Sequence, residues 1–131
     1  MKLALLGVAL FAASLASAET PPPASPLRKA VLDALRPSVE ARLGPDVEFV
    51  VARMDVRKGW AFVQAEPQRR GGKAIDGEAY FPDAWDYMDG LTTTAILRFQ
   101  DGRWHLVESA IGATDVWYCD PAIVNMADFC N

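Results

Sequence analysis

The fold of this 131-residue chain is constrained most by the order of its hydrophobic patterns. A helical period comes first, and several segments with the period of a β-strand follow. Apolar residues recur every four positions from Leu27 to Leu43, which is the spacing of one face of an α-helix. Ser25 followed by Pro26 indicates a helix start. The serine side chain can accept a hydrogen bond from a free N–H of the first turn, and proline loses nothing at the first position, where an N–H would have no acceptor within the helix. The Gly-Pro pair at 44–45 indicates the end of the helix.

The helical repeat is interrupted once, and strand patterns follow it. Pro37 predicts either a kink or a division into two shorter helices. Period-two alternation then predicts four strands, at 47–56, 60–66, 91–100 and 103–111. Pro67 predicts the end of the second strand, and the Asp-Gly pair at 101–102 predicts a tight hairpin turn. The sequence therefore predicts an α+β fold, with an N-terminal helix packed on a four-stranded antiparallel meander.

The N-terminal region has the features of an export signal. Residues 1–18 combine Lys2, an apolar run and a small-residue Ala-Ser-Ala motif, which together are typical of a cleaved secretory signal peptide. Residues 19–25 contain three consecutive prolines and predict an extended, mobile leader, and 26–131 form a single domain. The sequence contains no second long apolar run that would predict a membrane span. Its net charge of −4 argues against nucleic-acid binding. We expect a periplasmic or secreted protein.

Cys119 and Cys130 are the only cysteines of the chain. An exported protein enters an oxidising compartment, so we expect them to form a disulfide that closes the C-terminal segment. The segment 112–131 is predicted to pack back on the sheet. Two cysteines and one histidine supply too few ligands for a zinc site, and we expect no metal and no cofactor.

The segment 68–90 is too long for a plain hairpin loop and mixes aromatic with acidic residues. A short helical turn is predicted from Asp83 to Asp89, with Asp83 as its cap and Gly90 as its end. One interpretation is a recognition loop, in which rigid aromatic area has an acidic rim. The other is that the aromatics complete a small core. The candidate binding residues are Tyr80, Phe81, Asp83, Trp85, Asp86 and Tyr87.

His105, the only histidine, gives an alternative site. It could supply acid–base chemistry in a small-ligand pocket between the helix and the sheet. Strand alternation predicts Ser109 on the same face, although four residues along a strand span about 13 Å. The sheet face away from the helix needs cover from the C-terminal segment, a ligand or a second subunit, so a homodimer is possible.

Several short motifs resemble those of small exported bacterial proteins of unknown function with a cystatin-like or NTF2-like fold. They are Gly-Trp-Ala-Phe-Val at 59–63 with a proline soon after, Asp-Gly-Leu at 89–91, Asp-Gly-Arg-Trp at 101–104 and Gly-Ala-Thr-Asp-Val at 112–116. The resemblance covers 26–118 and implies a fold and an exported location, but no active site.

These observations predict a non-enzymatic binding or accessory module of the bacterial envelope. Its partner would be another envelope protein, with 68–90 as the contact surface. The alternatives are a small-ligand-binding pocket protein that uses His105, and a structural or stress-related envelope protein without a specific ligand.

Overall fold

The computed structural model describes residues 19–123 and 129–130, so the predicted signal peptide at 1–18 lies outside the described residues. The strands pair in the order β1-β2-β3-β4 as an antiparallel meander, which confirms the predicted α+β fold. None of the described helices is long and apolar enough to cross a membrane. The main elements are α1 (Pro26–Leu43), β1 (Val47–Arg57), β2 (Trp60–Arg69), α2 (Gly77–Tyr80), β3 (Thr93–Gln100) and β4 (Arg103–Ile111).

Helix α1 is continuous across Pro37. It starts as predicted, because the Ser25 side chain accepts a hydrogen bond from the Arg28 N–H at 3.1 Å. Of the two alternatives that Pro37 left open, a kink or a division, the division into two helices does not occur. Pro37 lies on the exposed side of the helix, where water can bind the Asp33 carbonyl that the missing N–H leaves free.

The two faces of the sheet are buried by different parts of the chain. On the helix face, α1 and the strands contribute aliphatic side chains that fill the space between them. The buried residues of this face include Val31, Leu35, Val39, Leu43, Met54, Ala61, Val63, Ala65, Ala95 and Leu97. On the opposite face, here called the far face, the buried residues are Trp60, Phe62, Ile96 and Phe129, with Trp117, Tyr118 and Ile123 packed against them.

The cover of the far face is the C-terminal segment. The disulfide between Cys119 and Cys130 is present, with the two Cα atoms 5.8 Å apart. The Trp117 indole N–H donates to the Thr94 hydroxyl at 2.9 Å, and Phe129 is buried on the sheet. The sequence predicted cover by the C-terminal segment, by a ligand or by a second subunit, and the C-terminal segment supplies it. A homodimer through this face stays a prediction.

The two outer strands, β1 and β4, each contain one bulge. The bulge in β4 shows that one prediction about Ser109 was wrong. The pairing of β3 with β4 skips one residue, Val107, between two matched pairs. His105 pairs with Arg98 on the far face, whereas Ser109 pairs with Ala95 on the helix face. The prediction that Ser109 and His105 share a face is wrong, because an extra residue reverses the alternation beyond it.

Strand β2 continues through Pro67 to Arg69, so the predicted end at Pro67 is also wrong. Pro67 pairs with Phe49 of β1, while β3 pairs with β2 only as far as Ala65. The nitrogen of Pro67 points away from β1, toward an edge that β3 does not reach. A proline costs no ladder hydrogen bond at such a position.

The leader is docked, although the sequence predicted a mobile segment. Glu19 and Val56 of β1 exchange two main-chain hydrogen bonds of 2.8 Å each. Pro21 is fully buried, and the Arg28 side chain donates to its carbonyl at 3.3 Å. The leader thus extends the outer edge of β1 before it enters α1.

Candidate binding site in the insertion

Arg69, the last residue of β2, ties the insertion 70–92 to the end of α1. Its guanidinium donates to the carbonyl of Pro45 at 2.8 Å and also to that of Leu43. It donates to the Tyr80 hydroxyl at 2.8 Å and lies 5.6 Å from the centroid of the Tyr80 ring. Tyr80, one of the predicted site residues, therefore remains 43% exposed but is fixed at the helix end.

Phe81 and Trp85 turn inward. Both pack against the buried cluster of the helix face, and the Arg42 guanidinium lies 5.1 Å from the Phe81 ring centroid. The Trp85 ring lies directly on Gly77, where a Cβ atom would come within 2.2 Å of it. These two aromatics complete the core, as the packing interpretation expected.

Asp83, Asp86 and Tyr87 turn outward. Tyr87 is 81% exposed, and it stands beside the exposed residues Asp83, Asp86 and Asp89. Within the described part of the chain, none of these three carboxylates takes part in an ion pair. We call these four residues the Tyr87 tip. Asp89 is absent from the predicted binding set, although the helical turn predicted from Asp83 to Asp89 already included it.

The backbone of the Tyr87 tip is held on both sides. Trp85 anchors its start, and the Asp89 N–H donates to the Gly112 carbonyl at 2.9 Å. Met88 packs so closely on Gly112 that a Cβ atom there would lie 2.6 Å from the Met88 Cε. An exposed aromatic is thus presented on a fixed turn.

The predicted helical turn is a 3₁₀ turn at Trp85–Tyr87, and Asp83 does not cap it. The Trp85 N–H, one of the donors that an Asp83 cap would have bonded, already donates to the Phe81 carbonyl at 2.9 Å. The short helix α2 was not predicted, because four residues are too few for a detectable period.

His105 lies on the far face, so it does not line any space between helix and sheet. Its Nε2 atom is 3.1 Å from the Gln100 carbonyl oxygen, and Arg98 is its cross-strand partner. Among the residues that the structure describes, no carboxylate bonds to this ring, and no group of three or more side chains could hold a metal ion.

Comparisons of the chain with protein-family models, with curated proteins and with solved structures found no match. The resemblance to cystatin-like and NTF2-like proteins stays a prediction.

Proposed function

We propose that this chain is an exported, non-enzymatic binding module and that the Tyr87 tip is its contact surface. One observation carries the proposal: a tyrosine that is 81% exposed has three exposed carboxylates within four residues of it along the chain, on a turn whose half-buried neighbours pack against the domain. A tyrosine supplies large contact area with little loss of side-chain freedom, and a fixed turn lowers the ordering cost of binding further.

The charge of the tip defines the kind of partner. Asp83, Asp86 and Asp89 lie within seven residues of one another and form no ion pair within the described part of the chain. A surface of one sign attracts a complementary surface and rejects one of the same sign. The partner that fits is an envelope protein with a basic patch around a site for an aromatic ring.

Export is supported by the disulfide and by the leader. Structural disulfides persist in oxidising compartments, and Cys119 is bonded to Cys130. Glu19, the first residue after the predicted cleavage site, pairs with the edge of the sheet. Mass spectrometry of the protein from the envelope fraction should give a chain that begins at Glu19. Recovery of the uncleaved chain from the cytoplasm would contradict export.

The contact surface can be tested by site-specific photo-cross-linking in cells that make the protein. A photoreactive phenylalanine analogue replaces Tyr87 in one variant and Val116 in another, since Val116 is 60% exposed and lies outside the insertion. The proposal expects a defined adduct from position 87 that position 116 does not give. The same adducts from both positions, or none from either, would contradict it.

Two substitutions then separate contact from folding. Tyr87→Ser and Asp86→Asn both alter exposed side chains that support no buried contact. Each should weaken the complex about tenfold while the free energy of unfolding changes by less than about 0.5 kcal/mol. Binding that is unchanged in both variants would place the contact elsewhere.

A further inference from the structure

An open groove of about 600 Å³ lies between α1 and β1, on the side of the molecule where the leader docks. Helix α1 contributes Arg28, Lys29, Leu32 and Arg36 to its lining, and β1 contributes Phe49. This volume is within the range of ligand sites in proteins. These residues were not predicted as a site, although Arg28, Leu32 and Arg36 follow one another at helical spacing on one stripe of α1.

The main chain of Phe49 faces this groove without a partner. Val47 turns its N–H and carbonyl outward, because they bond to the side chains of Glu40 and Arg36, both at 3.0 Å. Phe49 lies two residues further along β1 and therefore has the same orientation. Among the described residues, nothing bonds to its N–H or carbonyl. The groove thus contains an unpaired stretch of strand edge.

The same edge already accepts an added strand elsewhere. Glu19 of the leader pairs with Val56 through two main-chain hydrogen bonds. The edge is therefore satisfied at Val56 by the leader and at Val47 by α1, and it is open between them at Phe49.

The side chains around the open position combine apolar surface with positive charge. Leu32 packs against the core, and the Phe49 ring lies 5.5 Å below the Arg36 guanidinium. Three cations, Arg28, Lys29 and Arg36, line the groove with a single carboxylate, that of Asp33. Asp33 bonds to Lys29 at 2.6 Å and to Arg36, which leaves a surplus of positive charge.

We propose that this groove binds an extended peptide that adds as a short strand beside Phe49 and turns acidic, apolar and acidic side chains, at every second position, toward α1. Main-chain hydrogen bonds to an open edge give affinity in this mode, and side-chain contacts give specificity. Because side chains alternate along a strand, only every second side chain of the peptide would face α1. The central one of these, apolar, would contact Leu32 and the Phe49 ring, and the acidic ones two residues to either side would meet the cations that line the groove. This site is separate from the Tyr87 tip and does not depend on it.

The test is an NMR titration of the ¹⁵N-labelled, oxidised protein with the blocked peptide acetyl-Asp-Thr-Val-Thr-Asp-amide, which turns its two aspartates and its valine toward the same face. The Phe49 amide should shift, and its hydrogen exchange should slow by at least about tenfold at saturation, since it gains an acceptor. The matched peptide with asparagine at both acidic positions should bind about tenfold more weakly. A peptide N-methylated at the residues that face β1 should not bind.

Two protein variants complete the test. Arg28→Gln combined with Lys29→Gln should weaken binding about tenfold, whereas Arg103→Gln, at an exposed position of β4, should leave it unchanged. Equal binding of the N-methylated peptide, or no change at the Phe49 amide, would overturn the proposal. Octanoate that shifts Leu32 and Phe49 when the peptide does not would overturn it in favour of a site for an aliphatic carboxylate.

Discussion

The two faces of the sheet are both buried, but by different means. The helix face is aliphatic and is covered by a regular helix whose inward residues, such as Val31 and Leu35, are fully buried. The far face is aromatic and is covered by an irregular segment. There, Phe62 lies 4.5 Å from Tyr118 and 5.9 Å from Phe129 between ring centroids. The Arg53 guanidinium lies 4.7 Å from the Phe62 centroid and donates to the Phe129 carbonyl at 2.6 Å.

This difference shows what each kind of cover requires. A helix satisfies its own main-chain hydrogen bonds, so burial of its apolar stripe is enough to hold it on a sheet. The described parts of the C-terminal segment, 112–123 and 129–130, contain no helix longer than the single 3₁₀ turn Trp117–Cys119 and lack that internal ladder. They are held instead by a cross-link, by Arg53 and by the bond from Trp117 to Thr94. The helix face should therefore determine global stability, and the far face local order.

The largest effect should come from the helix face. Leu35→Ala removes a fully buried side chain and should lower the free energy of unfolding by about 3 kcal/mol, measured by chemical denaturation. Val116→Ala, at an exposed position, is the control and should change it by less than about 0.5 kcal/mol. A loss below about 1 kcal/mol for Leu35→Ala would mean that the helix is not the main cover.

The next effect should come from the cross-link of the far face. Replacing both Cys119 and Cys130 with serine should cost about 2–3 kcal/mol by the chain-entropy relation for a sequence separation of 11. The released segment should expose Phe62 and Ile96, so a dye that binds apolar surface should fluoresce while the helical circular dichroism persists. Loss of the helical signal would show that the two faces are not independent.

A smaller effect should come from the arginine that joins the segment to β1. Arg53→Met keeps the apolar stem but removes the charge over Phe62, the hydrogen bond to the Phe129 carbonyl and the ion pair with Asp55. We expect a loss of about 1–2 kcal/mol, with faster amide exchange at 129–130. Arg103→Met on exposed β4 should change neither quantity. An equal effect of both variants would argue for a general loss of charge instead.

The smallest effect should come from the solvent side of α1. The hydrogen bond from Lys29, assisted by Arg36, holds the pKa of Asp33 below its ordinary value of 3.8. Its contribution to stability is therefore present at neutral pH and is lost as pH falls through that lowered pKa, and exposure keeps it small. Carboxyl NMR titration should show a higher pKa in Lys29→Met. An unchanged titration would contradict the assigned cause.

The sequence predicted the regular elements well, because their periods are local. The Ser25 cap, the four-residue repeat to Leu43 and the Asp-Gly turn at 101–102 are all present in the structure. The errors arose where pairing between strands overrides a local pattern. Pro67 fits within β2 because β3 is shorter, and Ser109 changes face because Val107 is an extra residue.

The candidate site was predicted as a set of six residues, without a division into inward and outward side chains. The sequence placed Trp85 and Tyr87 in one set, but the structure buries part of the first and exposes most of the second. Residues in a single 3₁₀ turn carry no repeat that separates inward from outward positions. The groove beside Phe49 was missed because it depends on where a strand edge is left unpaired, which no local pattern records.

The bulges at Ala52 and Val107 have a consequence for aggregation. The two residues that flank each bulge pair with consecutive residues of the neighbouring strand, so their side chains lie on opposite faces of the sheet. These flanking residues are Val51 and Arg53 in β1, and Leu106 and Glu108 in β4. Deleting Val107 would leave all the remaining side chains of β4 on their present faces. It would also make the outer edge of β4 regular. Such an edge is a template for another copy of the strand. We expect the deletion variant to remain folded but to aggregate more readily on warming.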